Sequence, residues 1–199
     1  PKWKTPIAEQ NPQERCHNFK EVCLGYTLEE GVTEAKRCLQ CKTAPCIKGC
    51  PVAIDIPGFI QAVAEGKMQE AGDIMGRFTN LPAVCGRVCP QETQCEGVCT
   101  LGKVEGFEPV AIGKLERLVA DWKYQNASEA QPQTPSEKKG RVAVIGSGPA
   151  GLTVAGDLAK KGYEVVIYEA LHAAGGVFMF IIPQPPLPTL IPHTALVPS

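Results

Sequence analysis

The sequence has no excess of charge of one sign and no long hydrophobic run. Its 199 residues include 20 basic and 21 acidic side chains, without a Lys- or Arg-rich block. Proteins that bind nucleic acids or anionic membrane surfaces usually carry such a block, so we expect neither partner. No uncharged apolar run reaches the roughly 18 residues of a transmembrane helix. We therefore expect no membrane span.

Cysteine is missing from the last hundred residues, yet ten cysteines lie between Cys16 and Cys99. Such crowding indicates either disulfides or bound metal. The N-terminus lacks the apolar core of a signal peptide, which predicts a cytoplasmic, reducing environment in which disulfides rarely persist. Composition alone therefore favours metal.

The cysteine-rich part, residues 1–125, has the pattern of short helices separated by Gly and Pro. Thr27 and Glu30 form a T-x-x-E capping box that predicts a helix start. Asp55 predicts a second helix start, and apolar residues at helical spacing after Pro109 predict a third helix. We expect an all-α domain here.

The next part of the chain has a different pattern. Residues 126–140 are polar and have no apolar period, which is typical of a linker. A predicted buried strand over Arg141–Ile145 precedes a helix over Pro149–Lys161 and a second buried strand over Glu164–Tyr168. Elements of these lengths predict a βαβ unit of a parallel sheet, the start of a Rossmann-like α/β domain over residues 141–180.

The last residues fit neither pattern. Residues 181–199 contain six prolines, no charged side chain other than His193, and no helical or strand period. A single βαβ unit cannot bury both faces of its sheet. We therefore expect a truncated chain, in which an incomplete α/β domain is followed by an irregular, aberrant tail.

Eight of the cysteines form two groups. The first group spells C-x2-C-x4-C-x3-C-P and consists of Cys38, Cys41, Cys46 and Cys50. The second spells C-x3-C-P-x4-C-x3-C and consists of Cys85, Cys89, Cys95 and Cys99. In two-cluster ferredoxins the cysteine before proline ligates the other cluster. Cys50 is therefore expected to cross to the second site, and Cys99 is a candidate to complete the first.

The main alternative to iron–sulfur clusters is zinc, which usually binds paired C-x2-C or Cys/His sets, one tetrad per ion. Only Cys38 and Cys41 have the x2 spacing, and the three histidines lie outside both groups. The longer spacings and the two Cys-Pro pairs favour two [4Fe–4S] clusters, with zinc and then disulfides as alternatives. Cys16 and Cys23 lie outside both groups and are expected to be ordinary thiols.

A glycine-rich turn follows the first strand of the predicted α/β domain. It reads G-x-G-x-x-G, and its residues are Gly146, Ser147, Gly148, Pro149, Ala150 and Gly151. The first glycine permits the tight turn, the second lets a pyrophosphate approach the backbone, and the third lets the helix pack on the strand. The helix N-terminus offers free N–H groups to the phosphates. The turn predicts a dinucleotide site; the alternative is a turn that binds nothing.

Three further residues are candidates for that site. Glu169 ends the second strand, where its carboxylate can accept hydrogen bonds from ribose hydroxyls. An acidic residue there disfavours a 2′-phosphate, so we expect FAD or NAD rather than NADP at this turn. Gly175 and Gly176 predict a second close approach to a flavin, or otherwise a plain loop.

Three motifs in this order, C-L-x-C-x4-C-x3-C-P, V-C-G-x-V-C-P-x4-C-x3-C and V-x-V-I-G-x-G-P-A-G-L, resemble a known family. Over residues 2–180 the chain is similar to the small (beta) subunit of bacterial NADPH-dependent glutamate synthase. The wider group includes the large subunit of NADH-dependent ferredoxin:NADP oxidoreductase and the N-terminal part of dihydropyrimidine dehydrogenase. The resemblance implies an α-helical domain with two [4Fe–4S] clusters, followed by an FAD domain into which an NADPH domain is inserted.

The resemblance also implies which residues bind iron. Ligands of one cluster would be Cys38, Cys41, Cys46 and Cys99. Ligands of the other would be Cys50, Cys89, Cys95 and Glu116, which leaves Cys85 as a non-ligand. By spacing alone, Glu116 lies at the edge of a helical apolar stripe, a position typical of a solvated surface glutamate.

The resemblance is lost after the glycine pair, where Ile181-Ile182-Pro183 keeps only a trace of the family's next segment, as after a frameshift. The NADPH site of the family would then be absent. In complete members, NADPH would reduce FAD, and the clusters would carry electrons to a partner such as the glutamate synthase large subunit. We expect an oxidoreductase fragment that is inactive alone. The alternatives are the ferredoxin:NADP oxidoreductase branch and a non-enzymatic iron–sulfur relay or docking module.

Overall fold

The computed structural model describes residues 1–126, 139–181 and 194–198. The chain divides into two compact units, Pro1–Asn126 and Ala127–Ser199. Within the described ranges, no helix combines the length and the apolar character needed to cross a bilayer.

Short helices joined by tight turns dominate residues 1–126. The helices are α1 (Pro12–Arg15), α2 (Leu28–Ala35), α3 (Pro45–Gly49), α4 (Ile56–Ala64), α5 (Met68–Met75), α6 (Pro82–Val88) and α7 (Ile112–Gln125). Short 3₁₀ turns occur at Gln91–Thr93 and Leu101–Lys103. Two strands, β1 (Ala8–Glu9) and β2 (Cys23–Gly25), pair in antiparallel fashion. The expectation of an all-α domain is wrong at this small hairpin-like pair.

The predicted helix starts are confirmed. The Thr27 hydroxyl accepts a hydrogen bond from the Glu30 N–H at 3.2 Å, and the Glu30 carboxylate accepts one from the Thr27 N–H at 2.8 Å. Asp55 caps α4 by accepting a hydrogen bond from the Gly58 N–H at 3.1 Å. These side chains satisfy N–H groups that the first helical turn leaves without partners.

The hydrophobic core of this unit lies between α4, α5 and α7. Fully buried side chains on α4 and α7 are Phe59, Ile60, Val63, Leu115 and Val119. Burying each large side chain contributes about 1.5–3 kcal/mol. Cys95 belongs to the same cluster, and half-buried cysteines pack against it, namely Cys38, Cys46, Cys50 and Cys99. The cysteine loops therefore rest on the best-packed part of the unit.

A buried ion pair connects the first residues of the chain to α2 and to the start of α7. The Arg37 guanidinium lies 2.6 Å from the Glu34 carboxylate, and both side chains are fully buried. Arg37 also donates to four backbone carbonyls, those of residues 1, 2, 108 and 109, at 2.7–3.2 Å. The Glu34 carboxylate accepts the N–H groups of Thr5 at 2.7 Å and Ala111 at 2.8 Å. Since Ala111 is the N-cap of α7, the pair holds the start of that helix.

The second unit contains the predicted βαβ arrangement. β3 (Arg141–Ile145) and β4 (Glu164–Glu169) are parallel, with Arg141 opposite Glu164, and α8 (Pro149–Lys160) lies between them in sequence. Within the described ranges the strands are not buried throughout: Ile145 is 82 % exposed, whereas Ile167 is fully buried. The prediction of a fully buried strand is therefore wrong for β3.

Regular structure also occurs where the sequence suggested an irregular tail. A short helix, α9, covers Phe178–Ile181, and β5 (Thr194–Pro198) runs parallel to β4 with Val165 opposite Thr194. The strand order is β3-β4-β5. The prediction of an irregular tail is wrong for β5, whose apolar run of three residues is too short to identify a strand without its neighbour. Residues 182–193, and residues 127–138 of the predicted linker, lie outside the described residues.

Candidate metal centres and dinucleotide turn

One pocket of the N-terminal unit brings together cysteines from both sequence groups. It encloses about 370 Å³, part of it open to solvent, and is lined by Cys38, Cys41, Cys46 and Cys99. Most of the remaining lining is apolar and includes Ile56, Ile60, Val110 and Ile112. These four cysteines are the set that the resemblance implies for the first cluster. Cys46 and Cys99 are 53 residues apart in the sequence, and the packing of the helices brings them to the same pocket.

Left-handed backbone conformations shape the loops that carry these thiols. Gln40, between Cys38 and Cys41, has a φ of 49°, and Ala44, just before α3, has a φ of 38°. A non-glycine residue in this region costs on the order of 1–3 kcal/mol. The Ala44 N–H donates to the Cys41 carbonyl at 3.1 Å and closes the turn between them. These turns let three thiols separated by two and four residues reach one pocket.

The thiols of this pocket are close enough to affect one another. Burial raises the pKa of Cys46 to about 11, and repulsion from Cys38 and Cys99 adds to the rise. Burial also raises the pKa of Cys38, with contributions from Cys99 and Cys41. Without a compensating cation the thiolate forms are therefore disfavoured. Iron would reverse that cost, because a coordinating thiol is deprotonated, so the donor set fits a metal cluster.

A second candidate centre comprises Cys50, Cys89 and Cys95. Burial raises the pKa of Cys95 to about 12, and the charges of Glu96, Glu116 and Cys50 contribute. Burial raises the pKa of Cys89 as well, followed by contributions from Glu116 and Cys50. Such electrostatic effects weaken with separation, so these groups lie near one another. The crossover of Cys50 to this candidate centre stays a prediction.

Glu116 reaches the second centre from α7. It is only 6 % exposed, and its Oε1 atom has no hydrogen-bond partner among the described residues. Burial raises the pKa of its carboxyl group to about 8. A buried polar atom without a partner is uncommon and costs about 1–3 kcal/mol, which indicates a missing ligand. The interpretation of Glu116 as a solvated surface residue is wrong.

Helix α6 packs closely against α7 next to Glu116. A Cβ atom on Gly86 would lie 2.6 Å from the backbone nitrogen of Arg117, so only glycine fits at this helix crossing. Arg117 forms ion pairs with Glu21 at 3.1 Å and with Asp121 at 3.4 Å. These contacts fix the backbone next to Glu116 and place it beside α6, which contains Cys85 and ends at Cys89.

The start of α7 is held by a second buried glutamate. Glu96, directly after Cys95, accepts a hydrogen bond from the Gly113 N–H at 3.2 Å and forms an ion pair with Lys4. Gly113 lies one turn before Glu116. Glu96 therefore links a cysteine loop of the second centre to the helix that carries its carboxylate. Sequence reasoning missed Glu34, Arg37, Gly86 and Glu96, because isolated charged residues are usually predicted at the surface and a single glycine in a loop.

All ten cysteines are free thiols. Cys16 is exposed and donates to the Gln13 carbonyl, and Cys23 lies in β2. In the described part of the chain, no group of three or more His, Cys, Asp or Glu side chains has the geometry to hold a single metal ion. That is compatible with both centres, because each thiolate of a [4Fe–4S] cluster bonds a different iron atom.

The residues of the glycine-rich turn meet as the motif predicts. Gly146 has a φ of +92°, and its N–H donates to the Tyr168 carbonyl at 2.8 Å, which connects β3 to β4. A Cβ atom on Gly151 would lie 2.0 Å from the Gly146 carbonyl oxygen, so the third glycine allows α8 to pack on the strand. Gly148 is the N-cap of α8, and Pro149 and Ala150 form its first turn. A Cβ atom on Gly148 would meet nothing within 4 Å, which leaves space beside the turn for a ligand.

The other predicted residues of this site surround the same turn. The Glu169 carboxylate accepts hydrogen bonds from the Ser147 hydroxyl, the Ser147 N–H at 2.8 Å and the Leu171 N–H at 2.9 Å. These donors, the Ser147 hydroxyl first among them, lower the pKa of Glu169 to about 2. Gly175 donates to the Ser147 oxygen at 3.0 Å, and a Cβ atom on Gly176 would lie 2.9 Å from Gly148 Cα. Gly175 and Gly176 therefore pack against the glycine-rich turn.

These features define an iron–sulfur protein with a Rossmann-like nucleotide-binding unit. The family model described as "dihydropyrimidine dehydrogenase domain II, 4Fe-4S cluster" matches residues 15–128, more than half of the chain, and the protein belongs to this family. A second family model, an NAD(P)-binding Rossmann-like domain, matches residues 144–182.

Curated relatives extend the comparison. The chain is 36 % identical over 183 residues to the glutamate synthase [NADPH] small chain of Halomonas elongata, covering 89 % of this chain and 38 % of the relative. It is 37 % identical over 181 residues to the protein of the same name from Azospirillum brasilense, covering 90 % and 36 %. It is 39 % identical over 169 residues to the NAD-dependent dihydropyrimidine dehydrogenase subunit PreT of Escherichia coli K12, covering 84 % and 40 %. The chain thus spans less than half of the length of these relatives, and its resemblance to the glutamate synthase small subunit is confirmed.

Proposed function

We propose that this chain is the electron-transfer part of an NAD(P)H-dependent flavoprotein. In it, two [4Fe–4S] clusters relay electrons between FAD and a partner subunit. The observation that supports this proposal is the pocket lined by Cys38, Cys41, Cys46 and Cys99, which joins cysteines from two distant stretches of the chain. Ligands would be Cys38, Cys41, Cys46 and Cys99 for the first cluster. For the second they would be Cys50, Cys89, Cys95 and Glu116.

FAD would bind at the glycine-rich turn of the second unit. Its pyrophosphate would face the N-terminus of α8, where Gly148 leaves open space, and Glu169 would lie near the ribose. The bound flavin converts two-electron chemistry into single-electron transfer, and the clusters carry the single electrons. The chain's own residues contribute binding, burial and charge, and no acid, base or nucleophile among them is assigned to bond-making chemistry.

By similarity to the glutamate synthase small chains, we propose a glutamate synthase large subunit as the partner. A ferredoxin:NADP oxidoreductase-type partner is the alternative. Co-purification of the full chain with each candidate, followed by oxidation of the chemically reduced clusters on mixing, distinguishes them. Electron transfer to neither partner would contradict both assignments.

The proposal is tested by purifying the chain without oxygen and measuring iron, sulfide, zinc and flavin. We expect about eight iron atoms and about eight sulfides per chain, with FAD bound. Zinc in place of iron would refute the assignment. Iron and sulfide without flavin would favour the second candidate function, a relay or docking module. We also expect the 199-residue chain alone to show no NADPH-dependent dye reduction, and such reduction would refute the view that it lacks the NADPH site.

A further inference from the structure

The second centre contains a thiol that the ligand set above leaves unused. Cys85 lies on α6 one turn before Cys89, and the Cys89 N–H donates to the Cys85 carbonyl at 3.1 Å. Residues four apart lie on the same face of a helical turn, so the two sulfur atoms point the same way. Cys85 is thus a fifth thiol beside the second centre.

Cys85 is half-buried on the helix that leads to Cys89. Burial raises the pKa of its thiol to about 12, and the charges of Glu116 and Cys89 contribute to the rise. The crossing at Gly86, the next residue, packs α6 against the backbone of Arg117, the residue after Glu116. Cys85 therefore lies on the turn of α6 that packs against the turn of α7 bearing Glu116.

Glu116 is the exchangeable member of that set. Carboxylate oxygens are harder ligands than thiolates, and iron–sulfur clusters are usually held by four cysteines. The Oε1 atom of Glu116 also lacks any hydrogen bond in the described residues that would hold the carboxylate in one orientation.

We propose that Cys85 is an alternative fourth ligand of the second cluster, able to replace Glu116. This inference rests on the proposed function. In the exchange, the bond between iron and the Glu116 oxygen breaks and a bond between iron and the Cys85 sulfur forms. The thiol proton of Cys85 passes to the released carboxylate, or to solvent where the carboxylate is absent. No electron is gained or lost, and the second site holds its iron with either residue.

Iron content of anaerobically purified full-length variants tests this directly. Glu116→Ala should keep about eight irons per chain, because Cys85 completes an all-cysteine set. Cys85→Ala should also keep about eight, because Glu116 remains. The double variant Glu116→Ala/Cys85→Ala should fall to about four, since only the first cluster stays complete. Glu116→Ala/Cys16→Ala is the matched control, with an exposed thiol removed instead, and should keep about eight.

Spectra supply a second readout. The reduced second cluster of Glu116→Ala should give an EPR signal and a midpoint potential that differ from those of the wild type, because a thiolate replaces a carboxylate. The EPR signal and the midpoint potential of Cys85→Ala should stay close to those of the wild type. A drop to about four irons in Glu116→Ala alone, or about eight in the double variant, would overturn the role of Cys85. An iron-free wild-type chain would instead refute the proposed function.

Discussion

Replacing Arg37 with methionine is expected to destabilise the N-terminal unit strongly, because it leaves the Glu34 charge buried and unpaired. Both side chains are fully buried and lie 2.6 Å apart. Methionine keeps the unbranched apolar stem of arginine but supplies neither charge nor donors. The substitution therefore tests the electrostatic contribution more than the packing contribution.

The expected magnitude follows from what remains around Glu34. Two backbone N–H groups, those of Thr5 and Ala111, still donate to the carboxylate, but no cation is left. Breaking a buried pair by removing one partner typically costs about 3–5 kcal/mol. For a chain of this size each kcal/mol lowers the melting temperature by roughly 2–4 °C, so we expect a fall of roughly 6–20 °C.

The assay is thermal unfolding of the full chain, followed by circular dichroism under anaerobic conditions at matched iron content. Lys36→Met is the control, because Lys36 is the neighbouring exposed cation, and its effect should stay within about 0.5 kcal/mol. The double variant Glu34→Gln/Arg37→Met should be less destabilised than Arg37→Met, because a neutral amide no longer buries an unpaired charge.

Two results would refute this reasoning. Arg37→Met could melt within a few degrees of the Lys36→Met control, which would mean that the pair is solvated. Alternatively, the loss of stability in Glu34→Gln/Arg37→Met could equal the sum of the losses in Glu34→Gln and in Arg37→Met, which would mean that the two side chains do not interact.

Three other substitutions test the two candidate sites. Gly86→Ala places a Cβ atom 2.6 Å from the backbone of Arg117, so we expect about 1–3 kcal/mol of destabilisation and loss of the second cluster's iron. Gly151→Ala should unfold the glycine-rich turn of the second unit, because its Cβ would lie 2.0 Å from a carbonyl oxygen. Gly148→Ala should keep the fold, because its Cβ would meet nothing within 4 Å, but should lose FAD binding in a flavin titration. Glu169 should titrate near pH 2 by carbon-13 NMR. Since its pKa is lowered from 4.5, the stability it contributes is present above pH 4.5 and is lost as the pH falls toward 2.

Matched controls separate these effects from general instability. Val88→Ala changes an exposed side chain on the same helix as Gly86 and should keep the iron of both clusters. Ser147→Ala removes the main donor to Glu169 and should move the pKa of that carboxyl upward. Full iron content in Gly86→Ala would contradict the first prediction. Equal loss of fold in Gly151→Ala and Gly148→Ala would contradict the second. An unchanged pKa of Glu169 in Ser147→Ala would contradict the third.

Local signals predicted much of the framework, because they depend on neighbouring residues. The Thr27 capping box, the Asp55 cap and the βαβ elements around the glycine-rich turn occur where the sequence places them. The turn residues Ser147 and Glu169 also meet, because the motif fixes their separation along a strand, a turn and a helix. Such features need no knowledge of distant contacts.

Features that depend on distant contacts were missed or misread. β5 is recognisable as a strand only beside β4, and the outer face of β3 is exposed although its sequence is apolar. The Arg37–Glu34 pair has the i,i+3 spacing of an ordinary surface pair, and only the loops packed over it make it buried. Similarly, periodicity placed Glu116 at the edge of an apolar stripe, whereas packing against distant elements such as α6 buries its carboxylate.

The two candidate centres differ in their surroundings although both are built on cysteines. The first pocket has a largely apolar lining around its four thiols. Around the second, Glu116 and Glu96 are buried, and among the described residues Glu96 pairs with Lys4. Negative charge near a cluster disfavours its reduction, so the Glu96 carboxylate should lower the potential of the cluster bound by the neighbouring Cys95. A redox titration followed by EPR measures both potentials, and Glu96→Gln should raise the potential of the second cluster more than that of the first. An equal shift of both potentials would contradict this electrostatic account.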